Sequence, residues 1–306
     1  MQTILGANGI IAQELSKNTL QYTRHVRQVS RNPEKVNSSD EIMSADLLNF
    51  DQTDKAVKGS DVVYLLAGLK YDAKVWEQQW PTVMRNVLDA CKKHNSRLVF
   101  FDNVYAYGKV SGIMTEDTPF NPNSRKGEVR AKIATMLLDE VKSGSLQAMI
   151  VRAADFYGPG ALLSLTHVAV HERLKGGKRP QWIGDPKKIH TFTYTPDAGK
   201  TVATLGNTPS AFNQTWHALT NSEKITGEDY VRMACAIVNK PFKSIQALPK
   251  FGVRILGLFI PVLGEFVEMM YQFENDYIFD SSKFEKAFKI KATPYQEGIK
   301  ETLLPK

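Results

Sequence analysis

Near its start the chain reads Thr3-Ile4-Leu5-Gly6-Ala7-Asn8-Gly9-Ile10-Ile11-Ala12. An apolar β-like triplet runs into Gly6-x-x-Gly9-x-x-Ala12 and then directly into an amphipathic helix. Each small residue has a physical task in such a turn. Gly6 permits the tight reversal, Gly9 lets the backbone come close to a ligand, and Ala12 lets the helix lie against the strand. Asn8, Gly9 and Ile10 then stand at a helix N-terminus, where free N–H groups and the helix dipole favour an anion such as a pyrophosphate. A plain tight βα turn would use the same glycines. Its place after a strand and before a helix favours the dinucleotide reading.

From this turn onwards, strand-like runs alternate with helical patterns. Strands are expected at Thr3–Leu5, His25–Ser30, Glu41–Ala45, Val62–Ala67, Arg97–Phe101 and Ala148–Arg152. Helices are expected at Ile10–Ser16, Thr53–Lys58, Val75–Lys93 and Lys126–Lys142. Repeated βαβ units predict an α/β fold with a doubly wound parallel Rossmann sheet. After Tyr157 helical patterns dominate, at Ala161–Leu174, Pro196–Leu205, Gly227–Val238, Phe251–Tyr271 and Pro294–Thr302. Short strands are expected between them at Thr191–Tyr194, Thr215–Ala218 and Ser244–Leu248. This half is expected to form a smaller, mainly helical C-terminal substrate lobe. The organisation is thus a Rossmann domain over 1–155, rejoined by roughly 190–206, with the substrate lobe in the remainder of 156–306.

The second strand ends Val29-Ser30-Arg31-Asn32-Pro33. An acidic residue at this place would bind the ribose 2′-OH of NAD(H). Ser30 and Arg31 instead suit a 2′-phosphate, so NADP(H) is favoured over NAD(H). Asp46 and Leu47 follow the third strand, where an aspartate could reach an adenine edge. Ala67 and Gly68 end the fourth and leave room at the sheet's carboxyl edge. Turn chemistry would also account for either pair.

The chain resembles the extended short-chain dehydrogenase/reductases, the NAD(P)-dependent epimerase and dehydratase superfamily. The resemblance rests on the glycine turn, on Asp61-Val62-Val63-Tyr64-Leu65-Leu66-Ala67-Gly68 and on Val104-Tyr105-Ala106-Tyr107-Gly108. It also rests on Thr115-Glu116-Asp117-Thr118-Pro119, on Arg152-Ala153-Ala154-Asp155-Phe156-Tyr157-Gly158-Pro159 and on Phe192-Thr193-Tyr194-Thr195-Pro196-Asp197. It implies an oxidoreductase or an epimerase-like enzyme acting on a small molecule.

The resemblance breaks at the proton relay. In that family the fifth strand ends in Ser or Thr, and a later helix carries Tyr-x-x-x-Lys. Here Asn103 takes the first place, and an ungapped alignment puts Lys126 at the tyrosine and Arg130 at the lysine. A register shifted by two pairs Glu128 with Lys132. Neither supplies a tyrosine. Three accounts remain open. Another group could do the acid/base work: Lys126, whose neutral form a nearby Arg130 would favour, or Tyr105, Tyr107 or Tyr157. The protein could bind NADP(H) as a catalytically silent sensor or regulator. A substrate needing little proton help, as in conjugate reduction, is the third. Arg130 could still donate to a ribose or phosphate. Asn103 could hydrogen-bond a carbonyl without moving a proton. Asp155 stands where the epimerases carry Asn, close to the cofactor and substrate. Its charge would repel a diphosphate.

Composition excludes other classes. The 306 residues carry a formal charge of +7, but the cations are scattered and form no basic stripe with interleaved aromatics, so no nucleic-acid partner is expected. Thr3–Leu5 leaves no room ahead of it for a secretory signal, and no apolar run is long enough for stable membrane insertion, so a cytoplasmic protein is expected. The two cysteines, Cys91 and Cys235, read as reduced core thiols. His167 and His171 lie one helical turn apart without a third ligand, so no metal is expected. The apolar stretch Phe251–Tyr271 reads as core or subunit contact, as an apolar substrate mouth, or as membrane-surface contact. Trp76, Trp80 and Pro81 fit either helix packing or a homodimer interface.

Overall fold

The computed structural model describes residues 1–304, and by internal contacts the chain divides into two units. The first comprises Met1–Ala106, Arg125–Ala153 and Ala198–Ala218. It is built on a seven-stranded sheet. The first strands are β1 (Gln2–Leu5), β2 (Val26–Ser30), β3 (Glu41–Ser44), β4 (Val62–Leu65) and β5 (Arg97–Asn103). They run β3-β2-β1-β4-β5, followed by Ala148–Ala153 and then Thr215–His217, all parallel. Every residue of β1, β4 and Ala148–Ala153 is buried, as a sheet covered on both faces requires. The strand order reverses between β1 and β4. That is the switch point of a doubly wound sheet, where a crevice opens at the carboxyl ends.

The helices between the strands are α1 (Ile10–Thr19), α2 (Phe50–Val57), α3 (Ala73–His94) and α4 (Arg125–Lys142). Local chemistry fixes their ends. The Asp72 carboxylate accepts from the Lys74 and Val75 amides and starts α3, and Asn95 in the left-handed conformation (φ 52°) ends it. The loop before β3 is closed by buried Asp40. Its Oδ2 accepts from Ser16 Oγ, Gln28 Nε2 and the amides of Val36 and Asn37.

The second unit comprises Tyr107–Ser124, Ala154–Asp197 and Leu219–Lys306. Three short parallel pairs organise it: Asp155–Tyr157 with Phe192–Tyr194, Gln181–Ile183 with Gln246–Leu248, and Ile113–Met114 with Ile278–Phe279. Its core is aromatic. Tyr157 packs on Tyr194, Tyr230 and Tyr295 with ring centroids 5.2, 5.9 and 5.5 Å away. The helix Gly227–Ile237 begins with a capping box, in which Thr226 and Asp229 each bond the other's backbone amide.

Three expectations need correction. Phe192–Tyr194 does not rejoin the large sheet but pairs with Asp155–Tyr157, and Thr215–His217 is the strand that joins. The helix expected from Ala161 begins only at Leu165, with Ser164 Oγ accepting from the His167 amide, because residues 162–164 form a turn. Phe251–Tyr271 divides at Pro261, as a proline there leads one to expect, but it is largely exposed rather than a core helix. It breaks into Lys250–Gly257, Pro261–Phe266 and short turns, because Pro261 cannot continue a helix. Of the first of these helices, only Val253 is buried.

Candidate functional site

In the first unit the turn between β1 and α1 sits at the switch point. Gly6 has φ +97°, and a Cβ there would lie 2.4 Å from Ala67 Cα, so only glycine fits where β1 crosses the end of β4. Gly9 behaves differently. A Cβ there would meet nothing closer than Gly6 O at 3.6 Å, so its own fold tolerates a side chain. Gly9 is the N-cap of α1, makes no side-chain cap, and no acidic residue follows in the first turn. The missing Cβ and the uncapped helix end together leave an open anion cradle, and these residues fit a dinucleotide phosphate. Gly68 also has open space, with nothing within 4 Å of a Cβ.

Beside this turn, Asn8 Nδ2 donates to Asn32 O (2.7 Å), and Ser30 Oγ donates to Asn8 Oδ1 (3.3 Å). Ser44 Oγ holds the Arg31 carbonyl at 2.8 Å, while the Arg31 side chain is exposed and has no acidic partner among the described residues. Asp46 does turn chemistry: its Oδ1 accepts from the Leu48 amide, and its own amide donates to Gln52 Oε1. The Leu47 carbonyl accepts from Asn86 Nδ2 (2.9 Å).

The end of β5 and the start of α4 form a second cluster in this unit. Lys126 and Arg130 both face inward, whereas Glu128 and Lys132 are exposed, so the helix face agrees with the ungapped register. Lys126 is 0% exposed, and its Nζ lies 4.6 Å from the centre of the Tyr71 ring. Arg130 is 4% exposed, and its guanidinium lies over Trp80 (4.5 Å), Phe100 (5.0 Å) and Trp76 (5.6 Å). Its Nε and Nη2 donate to Asp102 Oδ1 at 2.7 and 2.6 Å. Arg152 Nε, on the neighbouring strand, donates to Asp102 Oδ2 at 3.2 Å. The expectation that Arg130 offers its donors to a ribose is therefore replaced by a buried Arg130–Asp102–Arg152 cluster. The Asp102 carboxylate also accepts from the Asn103 amide, and Asn103 Oδ1 accepts from the Tyr105 amide. Tyr105 stacks on Trp76, with centroids 6.3 Å apart.

Sequence reasoning assigned no role to Asp102 or Arg152, yet a signal was present. Both are charged residues inside apolar strands, and they are register partners in the sheet. A charge at such a place needs a counter-charge.

In the second unit Tyr107 is buried against Phe120. Tyr157 is buried in the aromatic core, and burial pushes its phenol far up, so it does not serve as a ready proton donor near neutrality. Asp155 is partly exposed, and its Oδ2 accepts from His190 Nε2 at 2.9 Å. The buried His190 ring is sandwiched between Phe273 and Tyr277, with centroids 4.5 and 4.4 Å away and planes within 15° and 13°. Nothing in the sequence links His190 to Asp155, so the reading missed it. His171 bonds the Tyr230 hydroxyl at 2.9 Å, and burial, with His167 beside it, lowers its pKa to about 4. Among the described residues no group of three His, Cys, Asp or Glu is placed to hold a metal ion, and no helix is long and apolar enough to cross a membrane.

A parallel sheet in this order, with a glycine turn at its switch point and a smaller C-terminal unit, defines an extended Rossmann-type α/β protein. The chain belongs to the NAD dependent epimerase/dehydratase family, which it matches over residues 3–216. Its fold is similar to that of a dTDP-glucose 4,6-dehydratase from Streptomyces venezuelae, solved with NAD and TYD bound. That match has a TM-score of 0.81 and 15% identity, covering 99% of this chain and 96% of that one. It is also similar to UDP-glucuronic acid 4-epimerase from Bacillus cereus in complex with NAD, with a TM-score of 0.79 and 20% identity, covering 98% and 96%. No curated protein matches the chain by sequence.

Proposed function

We propose that the chain binds NADP(H) at the carboxyl edge of its parallel sheet and acts as an oxidoreductase or epimerase-like enzyme on a small molecule, with the family's tyrosine relay replaced. The observation that carries this is the turn at the switch point. Gly6 is sterically obligatory there, while Gly9 is not required by the fold and leaves its space to a ligand. The open end of α1 takes the pyrophosphate. Exposed Arg31, with Ser30 beside it, takes the 2′-phosphate and selects NADP(H), although the two relatives named above were solved with NAD. Asp46, Leu47, Ala67 and Gly68 border the adenosine half.

When bound, the nicotinamide supplies a hydride donor or acceptor. The chain's own residues must then orient the substrate and handle its proton. Asn103, with its Oδ1 engaged by the Tyr105 amide, presents its amide N–H groups to a carbonyl oxygen. Lys126, and after it Tyr105 and Tyr107, are the candidates for the proton. In the second unit the Asp155 carboxylate is held by His190. By the resemblance it stands where the epimerases carry Asn, and a carboxylate at that position disfavours a nucleotide diphosphate.

A second reading is favoured by a specific observation. Arg130 is locked into a buried ion cluster and Lys126 is fully buried, as in a protein that binds NADP(H) as a sensor without turnover. A panel of aldehydes, ketones and enones, offered with NADPH and followed by nicotinamide absorbance, separates the two. Turnover that Lys126→Met abolishes supports the enzyme. Turnover indifferent to replacing Lys126, Tyr105 and Tyr107 contradicts the assigned proton donors. Tight NADPH binding without turnover favours the sensor.

A further inference from the structure

The apolar segment that follows Pro249 forms a helical hairpin, Lys250–Gly257 and Pro261–Phe266, within the second unit. Its two arms meet backbone to backbone, since a Cβ on Gly257 would lie 2.7 Å from Gly264 Cα. The close crossing thrusts the connecting residues outward. Leu258 is 81% exposed and Phe259 79%, with Phe251 at 73% and Ile255, Ile260 and Val262 also open to solvent. An apolar patch of this kind on a folded surface marks an interaction site.

Charge indicates what it meets. From Lys240 to Phe266 the chain carries four cations, Lys240, Lys243, Lys250 and Arg254, against one carboxylate, Glu265 in the second arm. Lys240 bonds the Leu174 carbonyl, and Lys250 lies 3.5 Å from Glu274. Lys243 and Arg254 are exposed and have no acidic partner among the described residues. We infer that this hairpin docks the protein reversibly on an anionic phospholipid surface. The Leu258-Phe259-Ile260 tip enters the headgroup–acyl boundary, and the cations around it lie against lipid phosphates. A convex apolar tip suits a fluid bilayer better than a flat protein face. A second copy is disfavoured because isologous pairing through the tip would bring the two cationic collars face to face. Docking through this segment does not depend on which small molecule the protein acts on.

Sedimentation of the full chain with large vesicles tests this, comparing phosphatidylcholine alone with phosphatidylcholine–phosphatidylglycerol mixtures at low and high salt. The wild type is expected to sediment with the anionic vesicles, less with the neutral ones, and less as salt rises. Leu258→Ser/Phe259→Ser is expected to weaken binding at least about tenfold, and Lys243→Glu/Arg254→Glu to remove the preference for anionic lipid. All four positions are exposed, so both variants should keep the wild-type Tm. Failure of the wild type to bind anionic vesicles overturns the inference, as does binding unchanged by the tip variant. A dimer in analytical ultracentrifugation that the tip substitutions dissociate also overturns it, in favour of a second copy as the occupant.

Discussion

Asp102 joins helix α4 to two neighbouring strands through one buried carboxylate. Its carboxylate accepts from two guanidiniums and a backbone amide, away from water, with Arg130 and Arg152 contributed by a helix and an adjacent strand. Removing the negative charge takes from two buried guanidiniums the carboxylate they share. Asp102→Asn is therefore expected to destabilise the fold by about 3–5 kcal/mol, measured by urea denaturation. His171 makes a separate prediction for pH. Its folded pKa, about 4, lies below the ordinary histidine value of 6.5, so between those values the unfolded chain binds more protons than the folded one. The stability it contributes is complete above about pH 6.5 and is lost as pH falls towards 4, about 3 kcal/mol in all. His171→Gln should flatten that part of a Tm-against-pH curve.

At the scale of the element, the β1–α1 turn was fully legible in the sequence, because a glycine's freedom and a helix N-terminus are local properties. The two glycines nevertheless differ in kind, and that difference needed the structure. Gly6→Ala forces a Cβ into Ala67 and is expected to destabilise by more than about 2 kcal/mol. A Cβ at Gly9 meets nothing closer than Gly6 O at 3.6 Å, so Gly9→Val is expected to cost no more than about 1 kcal/mol of stability while weakening dinucleotide binding. Helix α4 was legible too, and its inward face carries Lys126 and Arg130 rather than Glu128 and Lys132. The destination of its cations was not legible. Whether Arg130 reaches a ligand or a carboxylate depends on Asp102 and Trp80, which are remote in sequence.

For the whole molecule, βαβ alternation predicted the sheet because each unit carries its own pattern, and the family match confirms the class. The second unit was read less well. The strands expected at Thr191–Tyr194 and Ser244–Leu248 are present as Phe192–Tyr194 and Gln246–Leu248, but their partners and the pair Ile113–Met114 with Ile278–Phe279 are two or three residues long, too short for periodicity to register. Apolarity likewise could not tell a core helix from an exposed hairpin at Lys250–Phe266, since both need the same residues. Cys91 and Cys235 are both buried, and burial pushes both thiols up. Neither is expected to react with a thiol reagent in the native protein, and both should react once denaturant unfolds it.

The Gly6–Gly9 turn is proposed to hold a nicotinamide dinucleotide, with Arg31 selecting its 2′-phosphate. Calorimetric titration with NADPH and NADH, on the wild type, Gly9→Val and Arg31→Ala, tests it most directly. The account predicts tighter binding of NADPH than NADH, loss of both in Gly9→Val with the fold retained, and loss of the NADPH advantage alone in Arg31→Ala. Binding of neither nucleotide by the wild type would contradict it, and with it both functional readings. Equal or tighter binding of NADH would leave the turn its role and remove the one assigned to Arg31.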